Sequence, residues 1–397
     1  MAFLMFLGTV LSLPLMAHSA GTFTMAIIPD TQNYVDDTKP QPGSLSVFHA
    51  ETRYLADRKD SINLVFVTHV GDVVEHGDGT NGTPGNAAWG AGTEWERARS
   101  AMNILAASGL AFGMSPGNHD YDNYSHPARR TLKGSVMWRR YFGSGSPYFV
   151  GKSWYGGASD NLPYNPGLSS FQTFQAGGRN FLHISLEMEA GDAVLTWAQG
   201  VIDSHRDYPT IITIHAYLNP PSNKDNRGPW ALPARRVAAA YLKGSPGGWN
   251  DAQGTWDKLI SRNDQIFMVI CGHAWSATVA GVSKAENMRI DRNIFGHPVY
   301  QILTDYQGNT LGLDGTPGAD PGGEGWLRLI EFDLEAGTIH FSTYSPVLSR
   351  YAGRNGRWTF NQHPEFSDFI LPIPHQVVHG LPVLLPAPPI ALLPSRR

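Results

Sequence analysis

Short apolar runs, separated by longer amphipathic segments, recur through most of this 397-residue chain and limit the folds open to it. Apolar runs bounded by turn residues predict buried strands, and amphipathic segments of about ten residues or more predict helices. Strands are predicted at residues 22–28, 63–70, 110–115, 180–186, 210–215, 266–271 and 298–304, with a hairpin formed by 326–332 and 338–344. Helices are predicted at residues 44–59, 94–107, 192–205 and 251–261. This alternation of strand and helix predicts an α/β protein built of layers.

Polar residues follow several of the predicted strands. The strand ends carry Pro29-Asp30-Thr31-Gln32, Gly71-Asp72, Gly117-Asn118-His119-Asp120, His215 and Gly272-His273. The carboxyl ends of neighbouring strands line one crevice in an open α/β sheet, so residues far apart in the chain can meet there. Any one of these endings is also compatible with an ordinary turn or a hydrogen-bonded core histidine. Together they predict a site for divalent metal ions, because carboxylates, amides and imidazoles are the ligands of such ions.

Composition and one local motif exclude other classes of function. The net charge of -4 gives no reason to expect nucleic acid or an anionic membrane as a partner. The single cysteine, Cys271, excludes an intramolecular disulfide and a thiolate-rich zinc site. Residues 113–117 match the G-x-S-x-G turn of serine esterases, but Pro116 follows the serine and has no N–H for an oxyanion hole.

Both ends of the chain have biased compositions. Residues 1–20 are apolar through Leu15 and end in small residues, which predicts a signal peptide and a secreted or periplasmic protein. An uncleaved anchor stays open, because the basic residues usual at the start of a signal peptide are missing. Residues 351–397 form a Pro- and Leu-rich extension, whose last part is either a disordered tail or a processed sorting sequence. No stable membrane span is expected once the signal is removed, and the sequence gives no indication of an oligomeric state.

The strand-end blocks resemble, in order and spacing, the signature of the calcineurin-like metallophosphoesterases, which is D-x-H, G-D, G-N-H-D/E, a lone His and G-H-x-H. The resemblance extends from about residue 22 to residue 346, and G-N-H-D is its most specific block. The Pro29-Asp30-Thr31-Gln32 opening looks like that of an exported branch of the family. The resemblance implies a four-layer α-β-β-α sandwich with two central mixed sheets and a metal site at the carboxyl ends of the strands. It places a catalytic domain at residues 21–350.

The resemblance also implies two metal positions that share Asp72. The histidine site would be completed by Asn118, His215 and His273. The oxygen site would consist of Asp30, Gln32 and Asp72, with Gln32 where the family usually has histidine and Trp275 where its last histidine would be. An indole nitrogen has no lone pair available for a metal. The histidine site suits manganese, zinc or iron. The oxygen site should hold its ion more weakly and prefer manganese, magnesium or calcium, so that one or two ions bind.

These residues imply hydrolysis of a phosphodiester or a small organic phosphomonoester by a metal-activated water. His119 would act as the general acid, with Asp120 orienting its ring. A mononuclear hydrolase is an intermediate alternative. The alternative of a different class is a secreted metal-binding or ligand-binding protein on the same fold, whose catalysis was lost with the altered oxygen site.

Overall fold

The computed structural model describes residues 21–36, 44–78, 93–123, 134–219, 235, 247–274, 276–279, 282–284, 286–307, 323–353 and 366–378. The strands are β1 (Thr22–Ile28), β2 (Leu64–His69), β3 (Ala111–Met114), β4 (Tyr155–Ala158), β5 (Ser170–Ala176), β6 (Arg179–Leu186), β7 (Thr210–Ile214), β8 (Ile266–Cys271), β9 (Ser276–Val279), β10 (Val282–Lys284), β11 (Glu286–Arg292), β12 (Pro298–Thr304), β13 (Leu327–Asp333), β14 (Thr338–Ser345), β15 (Arg350–Tyr351) and β16 (Asp368–Pro372). The helices are α1 (Gln32–Val35), α2 (Ser44–Arg58), α3 (Thr93–Ala107), α4 (Val136–Phe142), α5 (Asp192–Ser204), α6 (Ala252–Lys258) and α7 (His375–Val378), and a 3-10 turn (Ile260–Arg262) follows α6.

Two mixed sheets form the centre of the fold. The first has the strand order β15-β14-β13-β1-β2-β3, and β16 also pairs with β14. The second has the order β11-β12-β8-β7-β6-β5-β4, and β9 and β10 form a separate hairpin. In the first sheet β1, β2 and β3 are parallel, and in the second β6, β7, β8 and β12 are parallel. Antiparallel partners flank both parallel groups, namely β13 in the first sheet and β11 and β5 in the second.

The two sheets pack face to face, and helices cover their outer faces. Phe23 of the first sheet meets Phe181 of the second with ring centroids 5.5 Å apart, within an apolar core contributed by both sheets. Helices α2 and α3 pack on the outer face of the first sheet, and α5 and α6 pack on that of the second. The predicted α/β fold with four α-β-β-α layers is therefore confirmed. Within the described ranges, no helix has the length and apolar character needed to cross a bilayer.

Some observed strands have the predicted bounds, and others that are rich in polar residues were not predicted. Strands β1, β8 and β12 have the predicted bounds. Strands β5 and β11 were not predicted, because their sequences SFQTFQA and ENMRIDR mix polar and apolar residues instead of forming an apolar run. In the C-terminal extension, β16 pairs along β14 from Asp368 to Pro372. The predicted signal peptide and residues 379–397 lie outside the described residues.

A buried polar cluster joins the two sheets beneath the edge where the predicted site lies. Thr68 Oγ1 of β2 lies 2.9 Å from Thr213 Oγ1 of β7, and His183 Nε2 lies within 3.1 Å and 2.9 Å of these two hydroxyls. Burial lowers the pKa of His183 to about 3, so its ring is neutral. The cluster fixes the position of β2 relative to β7, whose ends lead to Asp72 and His215.

Candidate metal centre

The predicted histidine site is brought together from strand ends of both sheets. One ligand atom each from Asp72, His215 and His273 lie within 4.8 Å of one another. His215 Nε2 lies 3.1 Å from Asp72 Oδ2, 3.3 Å from Asn118 Oδ1 and 3.1 Å from His273 Nδ1. Asp72, Asn118 and His215 are buried. Donor atoms of the types that bind divalent ions therefore lie around His215 Nε2.

The hydrogen bond on the far side of the His215 ring defines which nitrogen faces these donor atoms. His215 Nδ1 lies 3.0 Å from the carbonyl oxygen of Val70, which can only accept, so Nδ1 carries the proton of the neutral ring. The lone pair on Nε2 then faces the oxygens of Asp72 and Asn118, an arrangement that is repulsive unless a cation or a proton lies between them. A backbone carbonyl bonded to the other ring nitrogen is the usual support of a metal-ligating histidine. The residues present therefore fit a divalent cation.

The electrostatics of Asp72 and His215 agree with a cation site. Burial alone raises the pKa of Asp72, but the charges of His215 and His119 outweigh burial and hold this pKa below its ordinary value. Burial alone lowers the pKa of His215, but the charge and hydrogen bond of Asp72 outweigh it, and the pKa of His215 rises. Asp72 and His215 thus stabilise opposite charges on each other, so the position beside the Asp72 carboxylate favours positive charge.

The backbone around the histidine site uses conformations that few residues adopt. Asp72 and His273 have φ of 50° and 66°, and Gly71 before Asp72 has φ of 111°. Such left-handed conformations are uncommon outside glycine and are often found at functional sites. A Cβ on Gly117 would lie 2.1 Å from Asp72 Oδ1, so only glycine lets the two loops approach this closely. Gly71 of the G-D block and Gly117 of the G-N block are thus needed for the backbone conformation and the close approach of the two loops.

The predicted oxygen site lies beside the histidine site. The Asp30 carboxylate accepts the backbone N–H of His273 at 3.1 Å and 3.3 Å. Burial, followed by the charges of Asp305 and Asp72, raises the pKa of Asp30. Gln32 Nε2 lies 3.4 Å from Asp72 Oδ2, and Gln32 Oε1 is buried without a hydrogen-bond partner among the described residues. Leaving a buried carbonyl oxygen unsatisfied costs about 1–3 kcal/mol, so this orientation of the Gln32 amide is unfavourable.

Two further residues, Asp305 and Gln307, lie at the oxygen site, and neither was identified from the sequence. Gln307 Nε2 lies 3.1 Å from Asp305 Oδ2 and 3.5 Å from Asp30 Oδ1, and Gln307 Oε1 accepts a short hydrogen bond from Gln32 Nε2. Asp305 is fully buried at the end of β12. It follows an apolar strand as Asp30 and Asp72 do, and that signal could have found it. Trp275 lies outside the described residues.

The ring of His119 lies at the edge of the centre, with its side chain 15% exposed. The His119 backbone N–H donates to Asp72 Oδ1 at 2.9 Å. Its Nδ1 lies 2.9 Å from the carbonyl oxygen of Glu75 and 3.2 Å from Glu75 Oε2. Its Nε2 lies 4.0 Å from Asp72 Oδ2. The nitrogen that faces the metal centre is therefore Nε2.

The expectation that Asp120 orients the ring of His119 is corrected by these contacts. Asp120 Oδ1 accepts the N–H groups of Val73 and Val74 at 2.9 Å and 3.1 Å, and Oδ2 accepts that of Gly117 at 2.8 Å. Burial, followed by the charge of Asp72, raises the pKa of Asp120 to about 8. Asp120 thus joins the loop after β2 to the loop after β3, and Glu75 contacts Nδ1 of the His119 ring.

Glu94 of α3 in turn holds the segment that carries Glu75. Glu94 Oε2 accepts the backbone N–H groups of Glu75 and His76 at 2.9 Å and 2.8 Å, and Glu94 Oε1 lies 2.8 Å from His76 Nδ1. His76 and Glu94, together with Asp36, form a second group of potential metal ligands. Because the Glu94 carboxylate is already used in fixing this segment, we assign it a structural role.

Comparison with known proteins gives distant likenesses. No family model matches the chain. The "Uncharacterized protein YvnB" of Bacillus subtilis (strain 168) is 25% identical over 329 residues, which cover 82% of this chain and 20% of YvnB. The chain therefore spans about a fifth of the length of this curated relative.

Among solved structures, the chain is similar to a dimetal phosphatase from Danio rerio, with 13% identity, a TM-score of 0.42, and coverage of 83% of this chain and 98% of that one. It is also similar to the purple acid phosphatase PPD1 of yellow lupin (Lupinus luteus), with 13% identity, a TM-score of 0.42, and coverage of 83% and 52%.

Proposed function

We propose that this chain is a metal-dependent phosphoesterase of the calcineurin-like type that hydrolyses a phosphodiester or a small organic phosphomonoester. The observation that carries the proposal is the approach of Asp72 Oδ2, Asn118 Oδ1 and His273 Nδ1 to within 3.3 Å of His215 Nε2. A general acid candidate, His119, is attached to the same centre through its backbone hydrogen bond to Asp72.

Some residues of the centre would bind the metal ions, and His119 would transfer the proton. Asp72, Asn118, His215 and His273 would hold one divalent ion, and Asp30 would contribute with Asp72 to a second. Bound ions supply Lewis acidity for the phosphoryl oxygens and lower the pKa of water. The carbonyl of Val70 fixes His215 so that its Nε2 faces the ion position.

His119 is arranged to deliver a proton from one defined atom. The Glu75 carbonyl can only accept, so Nδ1 keeps its proton and Nε2 is the nitrogen that gains and loses one. The Glu75 carboxylate, with Oε2 at 3.2 Å from Nδ1, stabilises the charged ring before the transfer. The proton moves from Nε2 to the leaving oxygen of the substrate, which is general acid catalysis.

The groups of the centre also bear on the class of substrate. Its ligands and its acid include carboxylates, amides and imidazoles, and none of them is lysine or arginine. The substrate's charge would therefore be met chiefly by the metal ions, which favours a phosphodiester or a small phosphomonoester over a substrate with several phosphate groups. Export through residues 1–20 is part of the same proposal.

The test is hydrolysis of bis(p-nitrophenyl) phosphate and p-nitrophenyl phosphate by chelator-stripped protein that is then supplied separately with manganese, zinc or calcium. We expect turnover to return with a metal ion and to be lost in His215→Ala together with the tightly bound ion. His205→Ala, at the far end of α5, is the matched control and should retain both. Protein that binds a metal ion tightly but turns over neither ester would overturn the proposal and support the binding-protein alternative.

A further inference from the structure

We infer that Gln307, oriented by Asp305, supplies an additional oxygen ligand to the oxygen site. This inference rests on the proposed function, because it assumes that the centre binds metal ions. By sequence that site has Asp30, Gln32 and Asp72, and Trp275 stands where the resemblance would place another ligand. Gln307 would provide the missing donor from the end of β12.

The orientation of the Gln307 amide is determined by Asp305. Asp305 Oδ1 accepts the backbone N–H of Gln307 at 3.1 Å, and Asp305 Oδ2 accepts from Gln307 Nε2 at 3.1 Å. The NH2 group of Gln307 lies between two carboxylate oxygens, 3.1 Å from Asp305 Oδ2 and 3.5 Å from Asp30 Oδ1, which both accept hydrogen bonds. The amide oxygen of Gln307 is therefore directed away from Asp305 and towards Gln32.

The Gln32 amide marks the place where a cation fits. Its NH2 group lies 3.4 Å from Asp72 Oδ2 and donates a short hydrogen bond to Gln307 Oε1. The positive end of an amide dipole thus occupies the space between two oxygen atoms. The oxygen of the same amide is buried and has no hydrogen-bond partner among the described residues. A half-turn of this amide, which leaves its shape unchanged, directs Gln32 Oε1 towards that space.

The resulting donor set consists only of oxygen atoms. It contains the carboxylates of Asp30 and Asp72 and the amide oxygens of Gln32 and Gln307. Such a set prefers manganese, magnesium or calcium, whereas the imidazoles of the histidine site favour zinc, iron or manganese. The protein should therefore bind two ions that differ in affinity and in preferred element.

The experiment is a calorimetric titration of the chelator-stripped, full-length protein with manganese alone, paired with elemental analysis after dialysis. Wild type should bind two manganese ions per chain with unequal affinity, and calcium should compete only for the weaker one. Gln307→Ala should weaken the weaker site by about tenfold or more and leave the tighter site unchanged. Gln307→Glu replaces the NH2 group that donates to Asp305 by a second oxygen, so it removes the contact that orients the ligand and should also change the affinity of the weaker site.

The control is Gln376→Ala, which removes a buried glutamine that bonds to Pro298 at the start of β12, the end away from Gln307. It should leave both affinities unchanged. A single manganese ion in wild type, or a weaker affinity that neither Gln307 variant changes, would overturn the inference. If the protein binds one ion and still hydrolyses the ester, the inference fails and the proposed function stands. If it binds two ions, the weaker one depending on Gln307, but turns over no ester, the inference stands and the proposed function fails.

Discussion

Asp72 Oδ1 accepts the backbone N–H of His119 at 2.9 Å, while Asp72 Oδ2 lies 3.1 Å from His215 Nε2. One carboxylate thus joins the proposed acid to the proposed metal ligands. Because both contacts involve buried or half-buried groups, a change in the position of Asp72 moves the acid and the ions together.

His119→Ala should separate the role of the acid from that of the metal ligands. The variant keeps the backbone N–H that bonds to Asp72, so its metal content should equal that of wild type. Loss of a general acid lowers kcat by about 10²–10⁴-fold. The loss should be larger for esters with poor leaving groups, because these need the proton most. Steady-state kinetics with a series of aryl phosphodiesters measures this, and a uniform loss across the series would contradict the assigned role.

Glu75→Gln tests whether Glu75, instead of Asp120, supports the ring of His119. It removes the carboxylate charge 3.2 Å from His119 Nδ1 but leaves the backbone carbonyl contact in place. We expect kcat to fall about tenfold, corresponding to about 1.5 kcal/mol for a charge-assisted hydrogen bond, and KM to change little. Unchanged kcat in a variant of normal stability would show that Glu75 does not support the charged ring.

Gly117→Ala should disrupt the metal centre without removing any ligand. The added Cβ would lie 2.1 Å from Asp72 Oδ1 and 2.3 Å from the Asp72 backbone nitrogen, so Asp72 must move. We expect loss of bound metal and of turnover. Gly200→Ala in α5, where nothing lies within 4 Å of the added atom, should retain both and is the matched control. Elemental analysis of the two variants side by side decides the matter, and a full metal content in Gly117→Ala would be the contrary result.

His340 should make stability depend on pH through the last strands of the first sheet. Its ring lies 2.6 Å from Asp368 Oδ1 of β16 and 3.0 Å from Glu331 Oε2 of β13. The hydrogen bonds to Asp368 and Glu331 raise the pKa of His340 to about 9. The stabilisation is therefore complete below the unfolded pKa of about 6.5 and is lost as the pH rises through 9.

The measurement for His340 is urea unfolding of wild type and His340→Gln at pH 6, 8 and 10. Wild type should be the more stable protein at pH 6, and the difference between the two should shrink towards pH 10. A difference that stays constant over this range would contradict the ion pairs with Glu331 and Asp368.

The sequence predicted those parts of the fold and site that depend on local patterns. Strands β1, β8 and β12 are continuous apolar runs, and their bounds agree with prediction. The convergence of Asp72 with His215 follows from parallel strands of two sheets ending at one edge.

Contacts that depend on how a loop turns could not be predicted in the same way. Asp120 follows His119 in sequence, yet its carboxylate turns back to the N–H of Gly117, so adjacency in the chain did not mean contact with the ring. The contact of Glu75 with His119 and that of Gln307 with Gln32 join residues from different segments of the chain, and no spacing in the sequence specifies such contacts.

One divalent cation should be held between Asp72, Asn118, His215 and His273. The most direct measurement is anomalous X-ray diffraction from crystals of the protein loaded with manganese. We predict a strong anomalous peak at roughly 2.0–2.3 Å from His215 Nε2 and His273 Nδ1, with Asp72 and Asn118 completing its ligands. The contrary result would be ordered side chains at this centre with no anomalous peak at saturating manganese. Manganese bound only elsewhere on the protein would equally contradict the proposed site.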